Sequence, residues 1–261
     1  MPIHLRQICL VASDLASVQD ELEDVLSIKP AFHDDGVSVF GLQNVLMPIG
    51  SQMLEVVAPQ PGADPMTTAA GRYIDRRGGD GGYMVITQVP DRRDQDAARA
   101  RAAERKVRVA WENDRQTWNV MQLHPRDLGS CFFEIDWDEQ TDMHGNWMPA
   151  GGTAWKEAVC TDTVDAITGV ELQSADPVKE AKVWAYIADT QVVMDRGDPT
   201  VPLANATLRF IPDRDGRGPG LSGLELNATD AERLFAQADA RGCHGPAGVI
   251  TICGTRFTTK D

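Results

Sequence analysis

No stretch of this 261-residue chain approaches the roughly 18 consecutive apolar residues of a membrane-spanning helix, which excludes the helical membrane proteins. CxxC pairs are absent as well. The five cysteines, Cys9, Cys131, Cys160, Cys243 and Cys253, are odd in number, so neither a disulfide framework nor a structural zinc knot is expected. Positive charge is scarce: 25 Lys and Arg stand against 39 Asp and Glu, a formal net charge of −14. Such a field repels phosphate backbones and anionic lipid heads, so no nucleic acid and no membrane partner is expected. The densest basic run, DRRDQDAARARAAERK at 91–106, is interleaved with acids and alanines and reads as a solvated helix face. The N-terminus reads as a short strand entering a helix rather than as a signal peptide, which places the protein in the cytoplasm.

What the chain has is repetition. GVELQSAD at 169–176 returns almost unchanged as GLELNATD at 223–230, and each copy runs into a helical pattern. Four times an apolar strand ends at a capping Asp, an amphipathic helix follows, and short strands return. The first unit runs from RQICLVAS through the helix after Asp14, with Leu15, Val18, Leu22 and Leu26 on one face, to VSVFGL, NVLMPI and QMLEVVAP. The second starts at GYMVITQV, turns helical after Asp91, and returns as VRVAWEN, TWNVMQL and SCFFEIDW. The third opens with ITGVELQSAD and includes TLRFIP; the fourth opens with LSGLELNATD and closes with VITICGTRFTTK. Residues 138–163, rich in Gly, polar residues and Trp, read as a crossing between two halves.

A βαβββ unit used in pairs, with an acid in the last strand, resembles the vicinal oxygen chelate superfamily of glyoxalase-like proteins. RQICLVASDL with QMLEVVAP, and LHPRDLGSCFFEID, carry the resemblance. It implies an α+β fold in which four βαβββ modules pair into two barrels. The expected domains are 1–140 (modules 3–60 and 81–138) and 164–261 (modules 165–212 and 220–259), with 141–163 as linker. In this superfamily a divalent metal is often held by inward residues from the first and last strand of each module. The first-strand ligand stands seven residues before the capping Asp. Those positions here are Gln7, Glu55, Met84 and Glu134, and Met84 departs from the pattern. The resemblance thus implies a divalent metal among Mn, Mg, Co, Ni, Fe and Zn, while a thioether suits a hard cation such as Mn, Mg, Co, Ni or Fe poorly. Either fewer residues hold the metal, or His124 substitutes, or there is no metal; no organic cofactor is expected.

Glu55 and Glu134 lie among apolar neighbours, where a carboxylate needs a partner or a proton. The expected roles are Glu55 and Glu134 as metal ligands with one doubling as base, Gln7 as ligand or orienting amide, and His124 as proton shuttle. Period-two alternation or a simple turn would instead leave them structural. Cys9, on the Gln7 face, is a candidate pocket thiol, and Met84, Trp118 and Trp147 would line an apolar wall.

In the third and fourth units the residues seven before Asp176 and Asp230 are Gly169 and Gly223, and the last-strand acid positions become Arg209 in TLRFIP and Arg256 in GTRFTT. Glu171 and Glu225 would share their face. A paired ion cluster is the expected outcome, with bidentate capture of a substrate carboxylate by Arg209 and Arg256 as the alternative. The resemblance implies isomerase or lyase proton transfer beside a carbonyl of a small metabolite in the N-terminal cup. The competing reading is a metal-free drug- or toxin-binding protein. An extradiol-type dioxygenase ranks below both, since no His falls in a ligand slot. Exposed strand edges make a homodimer possible.

Overall fold

The computed structural model describes residues 3–260, so the outermost residues of the two expected domains, 1, 2 and 261, lie outside it. The first unit comprises β1 (His4–Val11), α1 (Leu15–Leu26), β2 (Leu42–Ile49) and β3 (Gln52–Pro59), followed by α2 (Ala69–Arg77). The second comprises β4 (Gly81–Gln88), α3 (Arg92–Glu104), β5 (Val109–Asp114), β6 (Trp118–Leu123), the single turn α4 (Pro125–Leu128) and β7 (Phe132–Asp138). The third holds β8 (Val164–Ser174), α5 (Pro177–Ile187), β9 (Val193–Asp195), β10 (Asp198–Pro202) and β11 (Thr207–Pro212). The fourth holds β12 (Gly220–Ala228), α6 (Ala231–Arg241), β13 (Ile250–Ile252) and β14 (Thr255–Thr259).

Each main helix starts where its capping aspartate satisfies free backbone N–H groups. Asp14 accepts from Ala16 and Ser17, Asp91 from Arg93, Asp176 from Lys179 and Asp230 from Arg233.

Two expected strands are absent among the described residues. VSVFGL forms a 3-10 turn, Asp35–Phe40, because Asp34 accepts the Gly36 N–H and Gly41 reverses the chain at φ +71°. The fourth unit returns with two strands rather than three, since Gly245, Pro246 and Gly248 occupy a turn where a third strand would run.

Within each half, the first strands of the two units pair antiparallel, β1 with β4 and β8 with β12. Each last strand pairs parallel to its own first strand, as in β1–β3, β4–β7, β8–β11 and β12–β14. Leu221 opposite Gly82 joins the halves into one 14-stranded sheet. One face of it packs on the helices, burying Leu5, Ile8, Val85 and Phe133 against Val18, Leu22, Ala98 and Trp184. The Trp184 and Phe133 rings stack at 4.4 Å. The opposite face of each half is therefore the one left to form a cup.

Candidate functional site

The register settles which residues share a rung of the N-terminal cup. Cys9 pairs with Glu55 and Ile86 with Glu134, while Gln7 pairs with Met53 and Met84 with Phe132. Glu55 and Glu134 thus occupy equivalent positions in the duplicated units, and both are buried.

This cup is full. Cys9, Met53, Tyr83, Met84 and Ile86 pack there against Tyr73 of α2 and against Trp147 and Trp155, which the 141–163 segment inserts. The Trp147 indole N–H donates to Gln7 Oε1 at 2.8 Å, and Gln7 Nε2 donates to Glu55 Oε2 at 2.8 Å. Asn44 Nδ2 donates to the other carboxylate oxygen at 2.6 Å. An indole N–H can only donate, so it fixes which way the Gln7 amide points.

Electrostatics follow from this burial. Loss of hydration raises the Glu55 carboxyl above its ordinary value, against hydrogen bonds from Asn44, Cys9 and Gln7. Burial, and then the Glu55 charge, push the Cys9 thiol well up, so it is an inert neutral group rather than a nucleophile. Glu134 rises to about 7 through burial. Its face neighbour Asp136 has two buried oxygens without hydrogen-bond partners and is raised further, first by burial and then by the Glu134 charge. Two carboxyls this close retain a proton near neutrality.

The donors do not fit a divalent cation. Gln7 has its carbonyl committed to Trp147 and turns an amide nitrogen toward Glu55, and both Glu55 oxygens accept protein hydrogen bonds. Met84 belongs to the apolar packing. Among the described residues, no group of three or more His, Cys, Asp or Glu side chains could hold a metal.

The remaining expected residues are dispersed. His124, the expected proton shuttle, is the N-cap of α4, its Nδ1 accepting the Arg126 N–H at 3.1 Å. Trp118 borders a narrow crevice with Asp136, Asp138 and Trp147. Arg6 was not foreseen. A β-bulge between Leu5 and Gln7 places it beside Gln7, where it is buried, lies 4.7 Å over the Trp147 ring and donates to Gln88 and to the carbonyls of Asp142 and Asn146. Strict alternation would have sent Arg6 to the other face.

The C-terminal cup is open, with a cavity of about 420 Å³, the size of a small-ligand site. Its floor is two rungs read across β11, β8, β12 and β14. One is Thr207, Gly169, Glu225 and Thr258; the other is Arg209, Glu171, Gly223 and Arg256. Arg256 is therefore in register with Gly223, and Thr258 occupies the fourth unit's acid position. The expected equivalence of Arg209 and Arg256 is off by two residues.

The glycines create the room. A Cβ on Gly223 would come within 3.4 Å of Glu171 Oε1, and one on Gly169 within 3.7 Å of Glu225 Oε1, so each glutamate lies over the facing glycine. Arg256 donates to Glu171 and to Ser222 Oγ, and Arg214 approaches Glu171 Oε2 at 3.9 Å. Arg209 bonds Asp195 at 3.2 Å. Glu225 Oε1 accepts from the Thr168 hydroxyl at 3.1 Å. The expected buried ion cluster is thus a half-exposed wall, with guanidiniums and two carboxylates facing open space.

A family model described as a glyoxalase-like domain matches residues 8–188. No curated protein matches the chain. Among solved structures, a hypothetical protein from Staphylococcus aureus is similar over 100% of this chain and 99% of its own, with a TM-score of 0.66 at 13% identity. The Mn(II)-bound glyoxalase from Novosphingobium aromaticivorans is similar over 98% of this chain and 81% of its own, with a TM-score of 0.66 at 12% identity. A mutant 4-hydroxymandelate synthase from Streptomyces coelicolor covers 91% of this chain and 76% of its own, with a TM-score of 0.65 at 13% identity. At these identities the likeness is one of fold.

Proposed function

The chain belongs to the glyoxalase-like domain family, and on that premise we propose that it binds a small organic carboxylate, without a metal, in its C-terminal cup. One observation carries this reading: an open cavity of about 420 Å³ is walled by Arg209, Arg214 and Arg256, whereas the N-terminal cup is filled by Trp147 and Trp155. Asp195, Asp198 and Asp215 contact these guanidiniums from outside the cavity lining; Glu171 within it accepts from Arg256 and lies 3.9 Å from Arg214, so a ligand carboxylate would meet the remaining N–H groups of the three arginines. An arginine has five N–H groups in a planar fork that matches a carboxylate. On this reading residues 1–140 form a supporting domain, 141–163 its plug, and 164–261 the working domain.

A second reading, proton transfer of the isomerase or lyase type, is favoured by Glu225, a carboxylate in the cavity whose recorded partner is a hydroxyl rather than a cation. A base there would take a proton from a carbon beside a carbonyl and return it to that substrate, while an arginine held the oxyanion.

Calorimetric titration with small carboxylates tests the binding reading. Binding that weakens in Arg256→Gln, with the melting temperature retained, is expected; affinity unchanged in that variant would refute it. Deuterium uptake at a bound keto acid, lost in Glu225→Gln, would add the second reading.

A further inference from the structure

The two rungs of the C-terminal cup differ in charge. The Arg209, Glu171, Gly223 and Arg256 rung, with Arg214 beside it, lines the cavity with three guanidiniums and one carboxylate, the aspartates that pair with those guanidiniums lying outside the lining. Its carboxylate, Glu171, is already held by Arg256 and approached by Arg214. The Thr207, Gly169, Glu225 and Thr258 rung carries one carboxylate and two hydroxyl side chains, and Glu225 takes its recorded hydrogen bond from Thr168. Two residues of strand separate the rungs, ~6.8 Å. The duplication would have made the rungs equivalent, but Thr207 stands opposite Gly169 where Arg256 stands opposite Gly223, and Thr258 stands where Arg209 does. The cavity is therefore polarised along the strands.

We propose that the ligand is a zwitterion, an amino acid whose carboxylate meets the arginine rung and whose ammonium meets Glu225, with Thr207 and Thr258 beside it. This deepens the carboxylate reading and rests on it. A monocarboxylate fills half of the charge pattern and leaves Glu225 facing an alkyl chain. A dicarboxylate sets its second charge against Glu225. An amino acid whose ammonium and carboxylate are separated by several methylenes places one charge on each rung, as their spacing requires. Glu225 gains a cation in the exchange, and a carboxylate–ammonium bond shielded in a cavity is stronger than one at an open surface.

The test is calorimetric titration of the unmodified protein with 5-aminopentanoate, pentanoate, pentylammonium and glutarate, four probes of one chain length. The zwitterion is expected to bind about tenfold more tightly than pentanoate or pentylammonium, with glutarate weakest. In Glu225→Gln that preference is expected to collapse while pentanoate affinity is kept; in Arg256→Gln all three carboxylate probes weaken. Pentanoate equal to 5-aminopentanoate, or glutarate tightest, would overturn the zwitterion and leave the carboxylate reading standing. Absence of binding by every carboxylate would overturn both. The comparison of probes is made on the native chain, so it does not depend on a variant folding.

Discussion

Replacing Glu180 with Gln should change how stability depends on pH. Glu180 lies in the first turns of α5, is 5% exposed, and its Oε1 has no hydrogen-bond partner. Burial raises its carboxyl to about 7 from an ordinary 4.5. Between those two values the folded state holds a proton that the unfolded chain has released. Raising the pH through this window therefore weakens the fold, and the cost is absent below 4.5 and complete above about 7. At about 1.4 kcal/mol per pH unit the cost is roughly 3 kcal/mol. Glu180→Gln keeps the shape and cannot ionise, so its stability relative to the parent should rise by about that amount between pH 4.5 and pH 8. Urea unfolding followed by tryptophan fluorescence at four pH values measures the difference, in which other titrating groups largely cancel. Parallel stability profiles for the two proteins would refute the reasoning.

Three further outcomes follow from the two cups. Gly223→Ala puts a Cβ 3.3 Å from the Arg256 carbonyl oxygen and 3.4 Å from Glu171 Oε1 on the cavity floor, so Glu171 and β14 must shift and carboxylate affinity measured by calorimetry should fall about tenfold, about 1.4 kcal/mol. An unaltered affinity would remove Gly223 from the site. Trp147→Ala leaves a cavity in the N-terminal cup, removes the donor to Gln7 Oε1 and takes the ring from over Arg6, so urea unfolding should show a loss of ~3–5 kcal/mol while binding in the other cup persists. Dialysis against chelator and reload with Mn(II), read by elemental mass spectrometry, should leave far less than one metal per chain; near-stoichiometric metal that disappears in Glu55→Ala would contradict the donor assignment.

How much of this was legible in the sequence follows from the range of the interactions. The four capping aspartates act over three residues, and they set the start of every main helix as expected. The pairing of Glu55 with Glu134 by repeat position also survives in the strand register. VSVFGL misled because its β-branched and aromatic residues favour a strand, while the Asp34 and Gly41 turn chemistry around it decided otherwise. Arg256 was displaced by two positions because the register of β14, which sets Thr258 rather than Arg256 opposite Glu225, is decided by pairing across strands and not by the GTRFTT motif. Arg6 needed a bulge that depends on two strands at once, and the filling of the N-terminal cup needed Trp147 and Trp155 to return from far along the chain. None of those three facts leaves a local mark.

The central claim is that the C-terminal cup, not the N-terminal one, receives the small molecule. A crystal structure of the complex with 5-aminopentanoate tests it most directly. The expected result is ligand density between Arg256 and Glu225, over Gly169 and Gly223, with Trp147 still bonded to Gln7. Density beside Gln7 and Glu55, with Trp147 displaced, would contradict it.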